Sequence, residues 1–295
     1  MVCALSLIPT KPGERVKTDR RDAIKLVRSL RAGGLSEVYV PTVEDEAFRD
    51  LAQAWVSAKD DLKRARQRLK SFQLSHGVRY AGRADWRAAH RRWLSTFAFD
   101  SAWQQLAFEE HRRTIECLAQ CGRLEAAPRE AVVAWRFYPA VLGLQTMRGM
   151  QFTTAVGMLA ELGDLSRFTH PRQLMAWLEV TPSEHASGEK RRQGSITKNG
   201  NSYARKLLVE SAWSYRHPAR VSPEIQRRHE GIPKPIVDRS WDAKVRLCRR
   251  YRTLVARGKQ QNIAVIAVAR ELSGFIWDIS QLAMSLASQP QKHAA

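Results

Sequence analysis

Leu51, Trp55, Ala58, Leu62, Ala65, Leu69 and Phe72 alternate spacings of four and three, a heptad seam held over about three repeats. One long helix must run through this stretch, and another helix must cover its apolar edge, as in a coiled coil or a helical hairpin. Lys59, Lys63, Arg64, Arg66, Arg68 and Lys70 crowd the remaining faces. A solvated face looks like this, and so does a helix that tracks a nucleic-acid backbone. A second helix over residues 101–121 would return along the first. Between them stands GVRYAGRADWRAAHRRW, a basic tip bearing Tyr80, Trp86 and Trp93. Aromatic rings among cations can stack on unpaired bases, which suits RNA. Packed inward, the same rings would close the joint between two helices. Residues 44–134 therefore form a helical spacer, for dimerisation or for spanning a substrate.

The charge balance narrows the partner. In 295 residues there are 49 basic against 29 acidic side chains, a net charge of +20, and such an excess calls for a polyanion, most often nucleic acid. No stretch approaches the ~20 apolar residues of a transmembrane helix, so no membrane partner is expected and the protein is read as cytoplasmic. Cys3, Cys117, Cys121 and Cys248 contain no CxxC pair. Cys117 and Cys121, one helical turn apart near His111, offer a zinc site of no standard spacing; buried thiols in a reducing compartment are the simpler reading.

Residues 1–43 read as a strand over 2–8, a helix over 19–31 stopped by Gly33-Gly34, and a strand over 37–40 ended by Pro41. This is the unit that builds parallel sheets, yet two parallel strands do not stand alone, so the chain is expected to begin inside a domain. Asp19 and Asp22 share one face of the helix, about 5–6 Å apart at Cβ. They suit either a magnesium ion, which takes one or two carboxylates, or the helix N-terminus, with Thr18 or Asp19 as cap.

Residues 135–295 read as helical. Two short helices flank Arg148-Gly149 over 142–162, another covers 168–177, and one starts near Ser202. An extended, proline-rich linker is expected over 217–235, then an amphipathic helix over 241–257, a core helix over 262–279 and a frayed tail from 288. In their midst lies LEVTPSEHASGEKRRQGSITKNGNSYARKLL, residues 178–208. The pair Ser187-Gly188 is followed by Lys190, Arg191 and Arg192. A hydroxyl beside glycine and three cations is a plausible place to hold a phosphodiester, because glycine admits a close ligand and guanidinium forks match phosphate oxygens. A solvated basic loop has the same composition.

The order of residues in TPSEHASGEKRRQGSITKNGNSYARKLLVESAW, with KTDRRDA at residues 17–23, resembles the transposases of the insertion sequence 110/116/902 family. The resemblance covers nearly the whole chain. It implies a mainly α protein with an α/β N-terminal remnant of a RuvC-like, RNase H-type domain, a coiled-coil spacer, and a helical C-terminal transposase domain with a helix-hairpin-helix-like unit. It implies that Ser187 is the nucleophile on DNA, forming a covalent phosphoserine link. Lys190, Arg191, Arg192, Lys198 and Arg205, with Arg148 and Gly149 at the helical turn, are then the nucleic-acid contacts. Asp19 and Asp22 become half of a four-carboxylate Mg2+ site whose other members lie upstream in the family, so truncation and loss of metal-dependent activity are expected. Partners implied are DNA, a structured guide RNA from the same element, and further copies of the chain through the coiled coil. Two departures stand out: Gln151 replaces the second glycine of the hairpin turn, and Glu179 occupies a position where glycine is usual. The competing readings are a catalytically dead remnant that only binds nucleic acid, and an architectural protein that makes no use of the serine.

Overall fold

A computed structural model of the chain describes residues 2–3, 8, 18–35, 37–82, 86–120, 123–187, 190–197 and 200–289. The chain divides into two compact units, Met1–Glu46 and Ala47–Ala295. Among the described residues the protein is mainly helical, with one two-stranded sheet.

In the first unit, α1 (Asp19–Arg31) starts at Thr18, whose hydroxyl accepts from the Arg21 N–H at 3.4 Å. That hydroxyl satisfies one of the donors every helix start leaves unpaired. The parallel pairing needs correction: Cys3 and Glu37 form a single antiparallel bridge, while residues 4–7 of the expected first strand lie outside the described residues. Parallel pairing is slightly weaker per residue and occurs in sheets covered on both faces, and among the described residues of this unit no further strand supports it. Ile24, Val27 and Leu30 lie along one face of α1 and are all exposed.

The second unit contains two cores. Helix α2 (Val43–Ser75) reaches both. Near its start Phe48 stacks on Trp135 at 4.1 Å between ring centroids, and Trp55 leans on Phe152 at 6.1 Å. Its distal half packs with α3 (Ala88–Thr96) and α4 (Ala102–Gln120) around the buried residues Ala65, Leu69, Leu94, Phe108 and Ile115. Of the heptad seam, Trp55, Ala65 and Leu69 are buried within the chain. Helix α5 (Arg123–Ala134) leads back to the larger core.

That larger core is built on α12 (Gln261–Ser288), against which α6 (Tyr138–Gln145), α8 (Pro171–Trp177), α9 (Ser202–Ala212) and α11 (Lys234–Ala256) pack. Small residues let the axes close up; a Cβ on Gly143 would stand 3.1 Å from that of Ala283. The Trp277 indole donates to the Phe168 carbonyl at 2.9 Å and ties α12 to the loop before α8. Helix α7 (Phe152–Leu162) completes the layer beside α9.

The expected proline-rich linker is interrupted by a helix and runs into another. Pro223 and Pro235 lie in the first turns of α10 (Pro223–His229) and α11, where proline costs no hydrogen bond and its fixed φ already suits the helix. Helix α12 runs nine residues past the predicted end at residue 279, with Ile279 and Ala283 still buried.

Candidate phosphodiester site

The central stretch, which reads as a loop in sequence, is a β-hairpin of β1 (Pro182–Ser187) and β2 (Lys190–Ile196). Its antiparallel register sets Ser187 opposite Lys190, Ala186 opposite Arg191 and His185 opposite Arg192, with an irregularity between Pro182 and Glu184. Ser187 is the last residue of its strand, so the backbone brings this serine to the tip with three basic residues directly across from it or one or two positions away. Lys198 lies outside the described residues, as do 188–189 at the turn. Gly194 is required lower in the hairpin, where a Cβ would collide with the Ser183 hydroxyl.

Both feet of the hairpin are fixed to the helical core. Leu178 and Val180 are buried at the entry. Between them Glu179 adopts φ +52, a left-handed conformation that favours glycine, at the position where the sequence carries a carboxylate instead. Gly200 at the exit presses against this corner: a Cβ there would strike the Trp177 carbonyl and come within 3.0 Å of the Glu179 side chain. Asn201 caps α9 by accepting from the Ala204 N–H at 2.9 Å, and its amide donates to Glu161 at 2.6 Å. The other oxygen of Glu161 accepts from Gln53 of α2 at 2.8 Å. Arg205 donates to the carbonyls of Leu178 at 3.3 Å and Gly200 at 3.4 Å. One guanidinium therefore spans the two feet.

The other predicted contacts are placed as follows. Arg148 donates to the carbonyls of His217, Pro218 and Arg220 at 3.2, 2.8 and 2.8 Å. Gly149 has φ +80, and a Cβ on it would lie 2.6 Å from the Ser211 carbonyl. The turn between α6 and α7 is thus seated on α9. Asp19 and Asp22 sit in the first turn of α1; no group of three or more His, Cys, Asp or Glu side chains suited to a metal occurs among the described residues. The pair places negative charge at a helix N-terminus, where it is favourable. Of the cysteines, Cys248 is buried and Cys117 exposed; Cys121 lies outside the described residues.

Sequence reasoning missed a buried basic cluster behind Arg148. Lys244 is 1% exposed and its ammonium has no hydrogen-bond partner; the Tyr215 hydroxyl is likewise buried and unpartnered. Burial, with the Arg148 charge beside it, lowers the lysine to about 8. Beside this cluster a cavity of about 450 Å³ is lined by Arg148, Arg216, His217 and Arg228, with Glu224 facing them. The one available signal was Lys244 falling in step with Cys248 and Tyr251 on the apolar side of α11.

Tyr203, a second candidate nucleophile, is raised to about 12 by burial and by Glu161, Asp60 and Glu210.

A sequence profile described as "Transposase IS116/IS110/IS902 family" matches residues 143–230, from within α6 through the hairpin to the end of α10. The class so defined is that of insertion-sequence transposases. Over 288 residues the chain is 42% identical to a transposase designated y4qE of Sinorhizobium fredii (strain NBRC 101917 / NGR234), covering 98% of this chain and 71% of that relative. It is 28% identical over 262 residues to the transposase for insertion sequence element IS1533 of Leptospira borgpetersenii, covering 86% and 74%. The chain belongs to the IS116/IS110/IS902 transposase family.

Proposed function

We propose that this transposase binds DNA and cuts and rejoins its phosphodiesters with Ser187 as nucleophile. The serine oxygen attacks phosphorus, a P–O bond to a sugar oxygen breaks, and the departing sugar hydroxyl carries the proton that the serine gives up. A hydroxyl from a second strand then attacks the phosphoserine and regenerates the serine, so phosphodiesters are exchanged without net loss. Arg191 and Arg192 stabilise charge on the phosphoryl oxygens, as fixed cations do in such transfers. Lys190 and Lys198 add phosphate contacts. Arg205 and Gly149 act as positioning residues through the backbone contacts they make.

The observation that carries this reading is the hairpin register, which sets Ser187 opposite Lys190 at the end of its strand on a base clamped to the core. Asp19 and Asp22 would hold a magnesium ion together with ligands beyond this pair, and the ion would supply charge stabilisation on phosphate oxygens. A structured RNA from the same element belongs to this reading as a guide. Pairing of chain copies through the helical spacer belongs to it as well.

Strand transfer between two DNA molecules carrying the element's ends tests the proposal. The Ser187 protein is expected to give joined products, and Ser187→Ala none, with DNA affinity unchanged. Products from the alanine variant overturn the serine assignment. Loss of binding together with products assigns Ser187 a structural role instead.

A further inference from the structure

At the far end of α2, remote in sequence from the hairpin, a cavity of about 680 Å³ opens between that helix and the tip that follows it. This falls within the roughly 300–1,000 Å³ of small-molecule sites. Lys63, Arg66, Lys70 and Arg79 bring four cations to its walls, and no carboxylate lines it among the described residues. The aromatic side is as specific. Tyr80 and Trp86 line the cavity with His90; Tyr80 lies 5.0 Å from the His90 ring and Trp86 also 5.0 Å from it.

Two donors on these walls are unspent. Gln73 is 7% exposed and its Nε2 has no partner; the Arg66 Nε is buried and also has none. A buried amide donor left unpaired carries a desolvation cost, which a ligand carbonyl would offset. The Arg66 guanidinium lies over Trp86 at 5.1 Å from the ring centroid. Trp86 is held at φ +63, with its N–H donating to His90 Nδ1 at 3.3 Å. A bulky residue kept in that conformation stores strain of the kind found at ligand clamps.

We propose that this cavity takes an unpaired nucleotide of a single strand. Its base lies against Tyr80 and Trp86, its phosphate among Lys70, Arg79 and Lys63, and Gln73 Nε2 donates to a carbonyl on the base edge. Aromatic faces beside cations are what single strands use, since every base has a stacking face and a phosphate. A duplex keeps its bases stacked inside and cannot offer one. The inference is independent of Ser187, and the ligand is shared by RNA and DNA.

Binding of a labelled strand of about 12 nucleotides, as RNA, as DNA and as DNA duplex, is measured on the full chain. Lys70→Ala with Arg79→Ala, both exposed and so tolerated by the fold, and separately Gln73→Leu, are compared with the parent. Loss of about tenfold or more for single strands, with little loss for duplex, is expected. A photoreactive uracil in the strand is expected to cross-link to Tyr80 or Trp86. Loss confined to RNA assigns the strand as RNA, and loss on both assigns either strand. Equal losses on single strand and duplex, or cross-links that avoid Tyr80 and Trp86, overturn the proposal. The readout is binding of a free strand and not strand transfer, so failure here is distinct from failure of the serine assignment.

Discussion

Lys244 buries an ammonium with no hydrogen-bond partner, beside Arg148 and Arg228 and one helical turn from Cys248. Its value in the folded chain, about 8, lies below its ordinary 10.5. Between those values the unfolded chain holds a proton that the native chain lacks, so stability climbs as pH rises from about 8 toward 10.5. Below pH 8 the full cost of the buried charge is present. Lys244→Met is therefore expected to stabilise the protein at pH 7 by about 2 kcal/mol and to abolish the rise, as denaturant melts at pH 7, 8, 9 and 10 would show. Two left-handed backbone positions, Gly149 and Glu179, offer effects of both signs. Gly149→Ala places a Cβ 2.6 Å from a backbone carbonyl at φ +80 and is expected to cost about 2–4 kcal/mol. Glu179→Gly, at φ +52, relieves strain and is expected to leave the melting temperature unchanged or raise it.

At the scale of elements, the seam of α2 was the most legible feature, because seven apolar positions at strict spacing admit only a buried helix face. Leu69, fully buried in the smaller core, is the test: Leu69→Ala is expected to cost about 3 kcal/mol. The hairpin was not legible. PSEHAS and KRRQGSI carry almost none of the β-branched and aromatic residues that mark strands, and only Ser-Gly between them hinted at a turn. Helix α10 and the start of α11 were masked by prolines, which read as linker until a first turn claims them. The sequence also could not show that Arg148 and Arg205 are engaged by backbone carbonyls, since a basic side chain looks the same whether it meets a phosphate or a peptide. If Arg205 clamps the hairpin, Arg205→Ala speeds amide exchange across residues 178–200 in the absence of DNA. A residue serving phosphate alone would leave that exchange untouched.

For the whole molecule, a net charge of +20 was readable at once and sets the partner's sign without setting its shape. Nucleic-acid affinity is expected to fall by roughly 10³–10⁵ between 50 and 200 mM salt if 6–10 phosphates are contacted; a flat response removes nucleic acid as the partner. No helix among the described residues is long and apolar enough to cross a membrane. The family follows from similarity along nearly the entire chain; the proposed chemistry rests on one serine. The most direct measurement is peptide mapping of the protein after reaction with a nicked DNA substrate, denaturation and nuclease digestion. A nucleotide on Ser187, absent from Ser187→Ala, is the predicted result. A nucleotide on any other residue, or an adduct that persists in the alanine variant, would contradict the account.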